Sequence, residues 1–252
     1  FMPAEDAGAP KGKEAEAARL WQEKGTDSPF FKKWFGKSKV VGEDGEPLVA
    51  YHGTKRDFTE FDVTKSQTND VGYHFGSKEQ AQARLADLAH PTHPMGGRGE
   101  PRLLEAYLKM EKPLRLGENR GGSWFPEDIL KAIFDPDNVA WKGETPNISK
   151  VPEAFRSDFE KYHFDESADM YGGSLTARVG DEGFVSLQNL DEVYFPGKRH
   201  EWAKNYLAKK GFDGIIYKNI FEEGGGDSYM VFDPSQVKDV ANRGTFDPTD
   251  PN

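Results

Sequence analysis

The 252-residue chain contains no cysteine, which excludes disulfide staples and any thiolate-ligated metal site. It also lacks a run of eighteen apolar residues, so no membrane-spanning helix is predicted, and no secretory leader is read at its start. Basic residues are in deficit. Lys and Arg total 33 against 43 Asp and Glu, a net charge of −10. That field repels phosphate backbones at long range and disfavours generic nucleic-acid binding, though it leaves room for a local basic groove. Hydrophobic residues make up only 36%, while aromatics reach 13%. The 18 Phe, 9 Tyr and 5 Trp are enough to build a core, so a chain disordered throughout is excluded. With 27 Gly and 16 Pro, short elements and many turns are expected, as in a mixed or strand-rich fold.

The pattern along the chain divides it into a loose N-terminal segment (1–28) carrying a short helix, one domain (29–247) and a frayed tail (248–252). Lys13 to Lys24 reads as the short helix, stopped at Gly25. Pro29 opens a second helix whose Phe30, Phe31, Trp34 and Phe35 share one face and read as core. Val40-Val41 and Leu48 to Tyr51 read as two strands joined by a turn. Ser77-Lys78-Glu79-Gln80 is a capping box, and Ala81, Leu85, Leu88 and Ala89 give the helix after it an apolar stripe. Strands are predicted at Leu104 to Lys109, ended by Pro113, and at Phe184 to Leu187. Helices are predicted at Pro126 to Phe134, Pro152 to Tyr162 and Arg199 to Lys210. Residues 135–150 and 163–182 are polar and read as loops or insertions, and 118–198 carry no chemical motif. Near the end come a strand at Ile215-Ile216-Tyr217, an acidic glycine loop over 219–227, a strand at Tyr229 to Phe232, and a short helix or turn from Pro234. No repeat or linker is read, so a single domain is expected.

Two short segments each deliver a histidine beside a glycine at a strand end: Tyr51-His52-Gly53-Thr54 and Gly72-Tyr73-His74-Phe75-Gly76-Ser77. Small neighbours let such a histidine reach a ligand that bulkier ones would block. His74 also precedes a helix N-terminus, a natural place for an anion. Each histidine has a plainer reading as a satisfied structural group, and charged residues of a glycine loop are ordinarily just solvated. A metal site at His90 and His93 is disfavoured because Pro91 and Pro94 forbid a regular helix there. A glycosidase-like pair of carboxylates among Glu222, Glu223 and Asp227 has no separation fixed by the sequence.

Taken together, His52-Gly53-Thr54, Gly72-Tyr73-His74-Phe75 and the closing run Asp227-Ser228-Tyr229-Met230-Val231-Phe232-Asp233-Pro234-Ser235-Gln236-Val237 resemble the three motifs of the ADP-ribosyltransferase fold. The resemblance is to the ADP-ribosyltransferase domains of polyvalent proteins of phages and other mobile elements, and it covers residues 29–247. It implies an α+β fold: a split β-sandwich of two packed, mainly antiparallel sheets with peripheral helices. It implies an enzyme that uses NAD as a substrate, cleaves the nicotinamide–ribose bond and passes ADP-ribose to an acceptor, in all expectation a macromolecule. No metal is required. A bacterial or phage-infected cytoplasm is the expected setting, with delivery as an effector a further possibility.

The residue roles implied are these. His52 bonds a ribose hydroxyl, and a carboxylate stabilises the oxocarbenium-like state, Glu222 first and Asp227 second. Gly53, Thr54, Tyr73, His74, Phe75, Asn219 and Ser228 line the dinucleotide, with the ring at 74 stacked on nicotinamide. Two positions depart from the family pattern. Its usual second-motif tyrosine aligns with His74, which is similar to the RNA 2′-phosphotransferase branch. Its usual third-motif glutamate aligns with Ser228. Two alternatives follow: an inactive NAD- or nucleotide-binding module, or an NAD-dependent RNA 2′-phosphotransferase.

Overall fold

Two β-sheets face each other across a core of alternating strand residues. The computed structural model describes residues 12–56, 58, 71–90, 99–119, 124–139, 142, 144–165, 174–178, 184–186, 198–222 and 225–247. The first sheet has the order β1-β3-β10, with β1 Val49–Thr54, β3 Arg102–Leu108 and β10 Val237–Asp239, all antiparallel. The second has the order β2-β9-β8-β4, with β2 Tyr73–Phe75, β9 Asp227–Val231, β8 Gly214–Asn219 and β4 Pro113–Asn119. Among the described residues, β4 and β8 pair parallel and the other pairs of this sheet are antiparallel. One isolated bridge among the described residues joins the sheets, in which Tyr51 and Gly76 exchange two backbone hydrogen bonds of 2.9 Å.

Strand alternation sorts the side chains into layers. Ala50, Leu104, Ala106 and Leu108 of the first sheet meet Tyr73, Phe75, Ile216, Tyr229 and Val231 of the second. The opposite face of the second sheet presents Leu114, Leu116, Ile215, Tyr217 and Met230 to two helices, α4 Pro126–Phe134 and α5 Lys198–Lys209. There, Ile129, Leu130, Ile133, Ala203 and Leu207 close a second core. A clasp of Tyr206 and Lys210 on Asp158, at 2.8 and 2.7 Å, fastens α5 to the 3₁₀ segment Glu153–Lys161. The outer face of the first sheet is covered by α1 Lys13–Lys24, α2 Pro29–Phe35 and α3 Lys78–Ala89.

Helix α3 starts where the capping box predicts. Ser77 Oγ accepts the Gln80 N–H, and Gln80 Oε1 accepts the Ser77 N–H. It lies so close to β1 that a methyl on Gly53 would overlap the Ala81 carbonyl oxygen and sit 3.0 Å from Leu85 Cγ. The obstacle is backbone, which cannot rotate away. We therefore expect Gly53→Ala to cost about 1–3 kcal/mol, read as a lower urea midpoint, and to displace the neighbouring His52.

Several expectations are corrected. Val40-Val41 contributes only the bridge Val41 to Pro47, not a strand. Pro113 begins β4 rather than merely ending β3; a strand's first residue donates nothing it lacks. Pro152 to Tyr162 is a 3₁₀ segment, Glu153–Lys161. The polar stretch 163–182 is not loop throughout. β5 Tyr162–Asp165, β6 Ser174–Arg178 and β7 Phe184–Ser186 pair as a small antiparallel meander. After the Pro234–Gln236 turn, β10 completes the first sheet. Residues 1–11 and 248–252, His93, Glu223 and Phe61 (whose spacing from Phe58 predicts a pair that plugs the loop back onto the core) lie outside the described residues. Among the described residues, no helix is long and apolar enough to cross a membrane.

Candidate active site

His52 stands on β1 beside the gap between the sheets, partly buried, with the Phe75 ring 5.5 Å and the Phe58 ring 6.5 Å away. Its Nδ1 lies 2.7 Å from the His74 carbonyl oxygen. A carbonyl can only accept, so Nδ1 carries the proton and Nε2 presents a lone pair. Burial pushes the imidazole pKa down to about 4; the His74 carbonyl bond opposes this, and the His74 and Arg84 charges add to it. The ring is therefore a neutral acceptor at neutral pH.

This has a consequence for stability. Between the ordinary value of 6.5 and about 4, the unfolded chain binds a proton that the folded chain refuses. Stability therefore falls as pH drops through that window and levels off below it. The expected loss from this group is about 3 kcal/mol. It is read as the difference in urea stability between wild type and His52→Asn at pH 7 and at pH 4. A difference that does not change with pH overturns the assignment.

Gly53 and Thr54 follow His52. Because Tyr51 spends its N–H and C=O on Gly76, antiparallel alternation points those of Gly53 into the same gap. Thr54 is buried, and its Oγ1 accepts the Arg56 N–H at 3.1 Å, a local turn. Tyr73 and Phe75 share one face of β2, and both pack into the inter-sheet core. His74 alternates to the other face, where its Nδ1 and the Tyr217 hydroxyl are 2.9 Å apart and Trp124 packs edge-on against Tyr217.

The third motif divides between two faces. His74 is paired with Met230, and Tyr217 with Ser228, so Ser228, Tyr217, Asn219 and His74 lie on one side of the second sheet. Asp227 lies on the opposite side with Tyr229, and forms an exposed 2.8 Å ion pair with Arg115. Glu222 is held on the His74 side. Its Oε2 accepts the Asn219 amide at 2.8 Å. Burial raises its pKa above the usual carboxylate value; the Asn219 bond and the charges of His74 and Arg84 pull it back, and Asp87 pushes it further up. His52 and Glu222, from opposite ends of the chain, thus share His74 and Arg84 as electrostatic neighbours.

Asn219 and Ser228, expected to line a dinucleotide, are buried and bonded internally. Asn219 Nδ2 donates to Ser228 Oγ at 3.1 Å as well as to Glu222, and Ser228 Oγ donates to Gln80 Oε1 at 3.1 Å. Gln80, read from the sequence only as a cap, also donates from Nε2 to the Gly225 carbonyl at 3.0 Å. The signal was its residue type: Glu and Gln both complete a capping box, but only Gln keeps an N–H to give elsewhere. Arg84, on the same helix, and Tyr217 were likewise unread. Among the described residues, no group of three or more His, Asp or Glu could hold a metal ion.

A split sandwich of two mostly antiparallel sheets, with a histidine on one and a partly buried glutamate just after β8 of the other, is the α+β ADP-ribosyltransferase-like fold. The chain belongs to the family described as ADP-ribosyltransferase in polyvalent proteins, whose model matches residues 42–246. No curated protein and no solved structure matches it.

Proposed function

We propose that this chain is an NAD-dependent ADP-ribosyltransferase of the cytoplasm of a bacterial or phage-infected cell. The observation that carries the reading is geometric: His52 Nδ1 donates to the His74 carbonyl at 2.7 Å, and the His74 side chain lies on the side of the second sheet where Asn219 holds Glu222. Family membership supports it, since ADP-ribosyltransferases ordinarily take NAD as substrate.

In the proposed reaction, the bond between ribose C1′ and the nicotinamide nitrogen breaks, and its electron pair leaves with nicotinamide. Positive charge builds on the ribose, and the Glu222 carboxylate stabilises it. The acceptor's nucleophile then bonds to C1′ and loses its proton to solvent water. His52, fixed as the Nδ1–H tautomer, accepts a hydrogen bond from a ribose hydroxyl at Nε2, and the hydroxyl keeps its proton. The His74 ring, on the Glu222 side of the sheet, lies against the nicotinamide, and Gly53 offers backbone groups to its amide. A macromolecular acceptor fits the rim. Ile220 and Phe221, immediately before Glu222, are 40% and 53% exposed, an apolar lip that a large partner can cover.

Free nicotinamide released from NAD by the purified protein is the expected result. NAD binding without release would leave the chain a binding module. Removal of a 2′-phosphate from RNA would favour the phosphotransferase alternative.

A further inference from the structure

We propose that Ser228, backed by Gln80, is a positioning residue that aims Asn219 at Glu222, an inference that rests on the role given to Glu222 above. The hydrogen bonds admit one consistent set of directions. The Ser77 N–H can only donate, so the Gln80 atom it meets at 2.7 Å is the amide oxygen. The amide nitrogen then donates to the Gly225 carbonyl at 3.0 Å. The same Gln80 oxygen meets Ser228 Oγ at 3.1 Å, so the hydroxyl gives its proton there and turns its lone pairs to Asn219 Nδ2, 3.1 Å away.

The other end is fixed independently. Asn219 Oδ1 accepts the Phe221 and Glu222 N–H groups at 3.0 and 3.1 Å. Its Nδ2 therefore faces the carboxylate, 2.8 Å from Glu222 Oε2. The backbone joins the arrangement too: the Asn219 N–H donates to the Gly226 carbonyl at 2.9 Å, closing the turn between β8 and β9.

Ser228 and Gln80 are 2% and 1% exposed, so the Gln80–Ser228–Asn219 links are buried and each constrains the next. It starts at the first turn of α3, next to β2, and ends on the carboxylate after β8. The second and third motifs are thereby registered on each other. Position 228, where the resembling family carries its glutamate, serves here as the support of a carboxylate placed at 222.

The test compares Ser228→Ala, Ser228→Thr and Gln80→Met in the full chain, with two readouts. One is nicotinamide release from NAD, separated into kcat and KM. The other is the titration of the Glu222 carboxyl followed by carbon NMR. Ser228→Ala is expected to lower kcat roughly 10-fold through misplacement of the carboxylate, with KM for NAD unchanged. The Glu222 carboxyl should titrate at higher pH, because a loosened Asn219 no longer holds the charged form. Gln80→Met should do the same, and Ser228→Thr, which keeps the hydroxyl, should restore both readouts. In a Glu222→Gln background, Ser228→Glu should not recover release. A wild-type kcat with an unmoved titration in Ser228→Ala overturns the proposal, as does recovery in the double variant. A wild-type protein that releases no nicotinamide defeats the functional reading instead, and the Glu222 titration in Ser228→Ala still decides the positioning claim.

Discussion

Replacing Glu222 with Gln should slow nicotinamide release by about 10²–10³-fold, equivalent to about 3–4 kcal/mol of lost transition-state stabilisation. The isostere can still accept the Asn219 amide through its side-chain oxygen, so the turn keeps its shape and only the charge is lost. Asp227→Asn is the matched comparison and should leave the rate nearly unchanged. Both substitutions remove one negative charge near the β8–β9 connection. They differ in which side of the sheet loses it. Asp227 shares its side with Tyr229, and its exposed partner is Arg115, a pairing of little energetic consequence in water. Glu222 shares its side with His74 and is partly buried, where a fixed charge would act on the proposed ribose through a lower dielectric than bulk water. Rates from single-turnover assays with the two variants settle the assignment. Loss of release in Asp227→Asn, with Glu222→Gln active, would reverse it.

The contrast between these two carboxylates shows where the sequence was readable. Glu222 and Asp227 sit in one acidic glycine loop, and composition cannot separate them. The separation comes from strand register: once Tyr217 pairs with Ser228, alternation sends Asp227 to the opposite face. Helices with strong local signals were legible nearly to the residue. The capping box at Ser77 marks the start of α3, and Pro126 marks that of α4. Strands without such punctuation were not. β4 hides behind Pro113 because its partner β8 is distant in sequence, and β5 and β6 hide in polar sequence because they are held by pairing with neighbouring strands and not marked by an apolar alternation. The histidines were found through their glycine neighbours, but the reason for Gly53 was not. It makes room for the backbone of α3, a contact formed only in the folded chain. Gln80 was identified by its local bond and missed for its distant one.

Phe31→Ala should be the most damaging single change to stability, at about 3–5 kcal/mol. Phe31 is 1% exposed, and its ring meets five others: Tyr107 at 4.9 Å, Phe35 and Phe246 at 5.1 Å, Trp21 at 5.7 Å and Trp34 at 5.9 Å. These come from α1, α2, β3 and the segment after β10, so one ring joins four parts of the chain on the outer face of the first sheet. The Trp34 indole N–H reinforces the junction by donating to the Ser235 carbonyl at 3.1 Å. Most of this cluster lies before residue 42, outside the stretch matched by the family model, yet it covers sheet residues inside that stretch. The N-terminal helices thus pack on the sheet whose strands the family model covers. Urea denaturation followed by tryptophan fluorescence should show the midpoint drop. Nicotinamide release, measured well below the transition, should be little altered, because the cluster packs on the face of the sheet away from His52. A variant that unfolds like wild type would mean that α1 and α2 only rest on the domain, and removal of residues 1–36 would then be equally harmless.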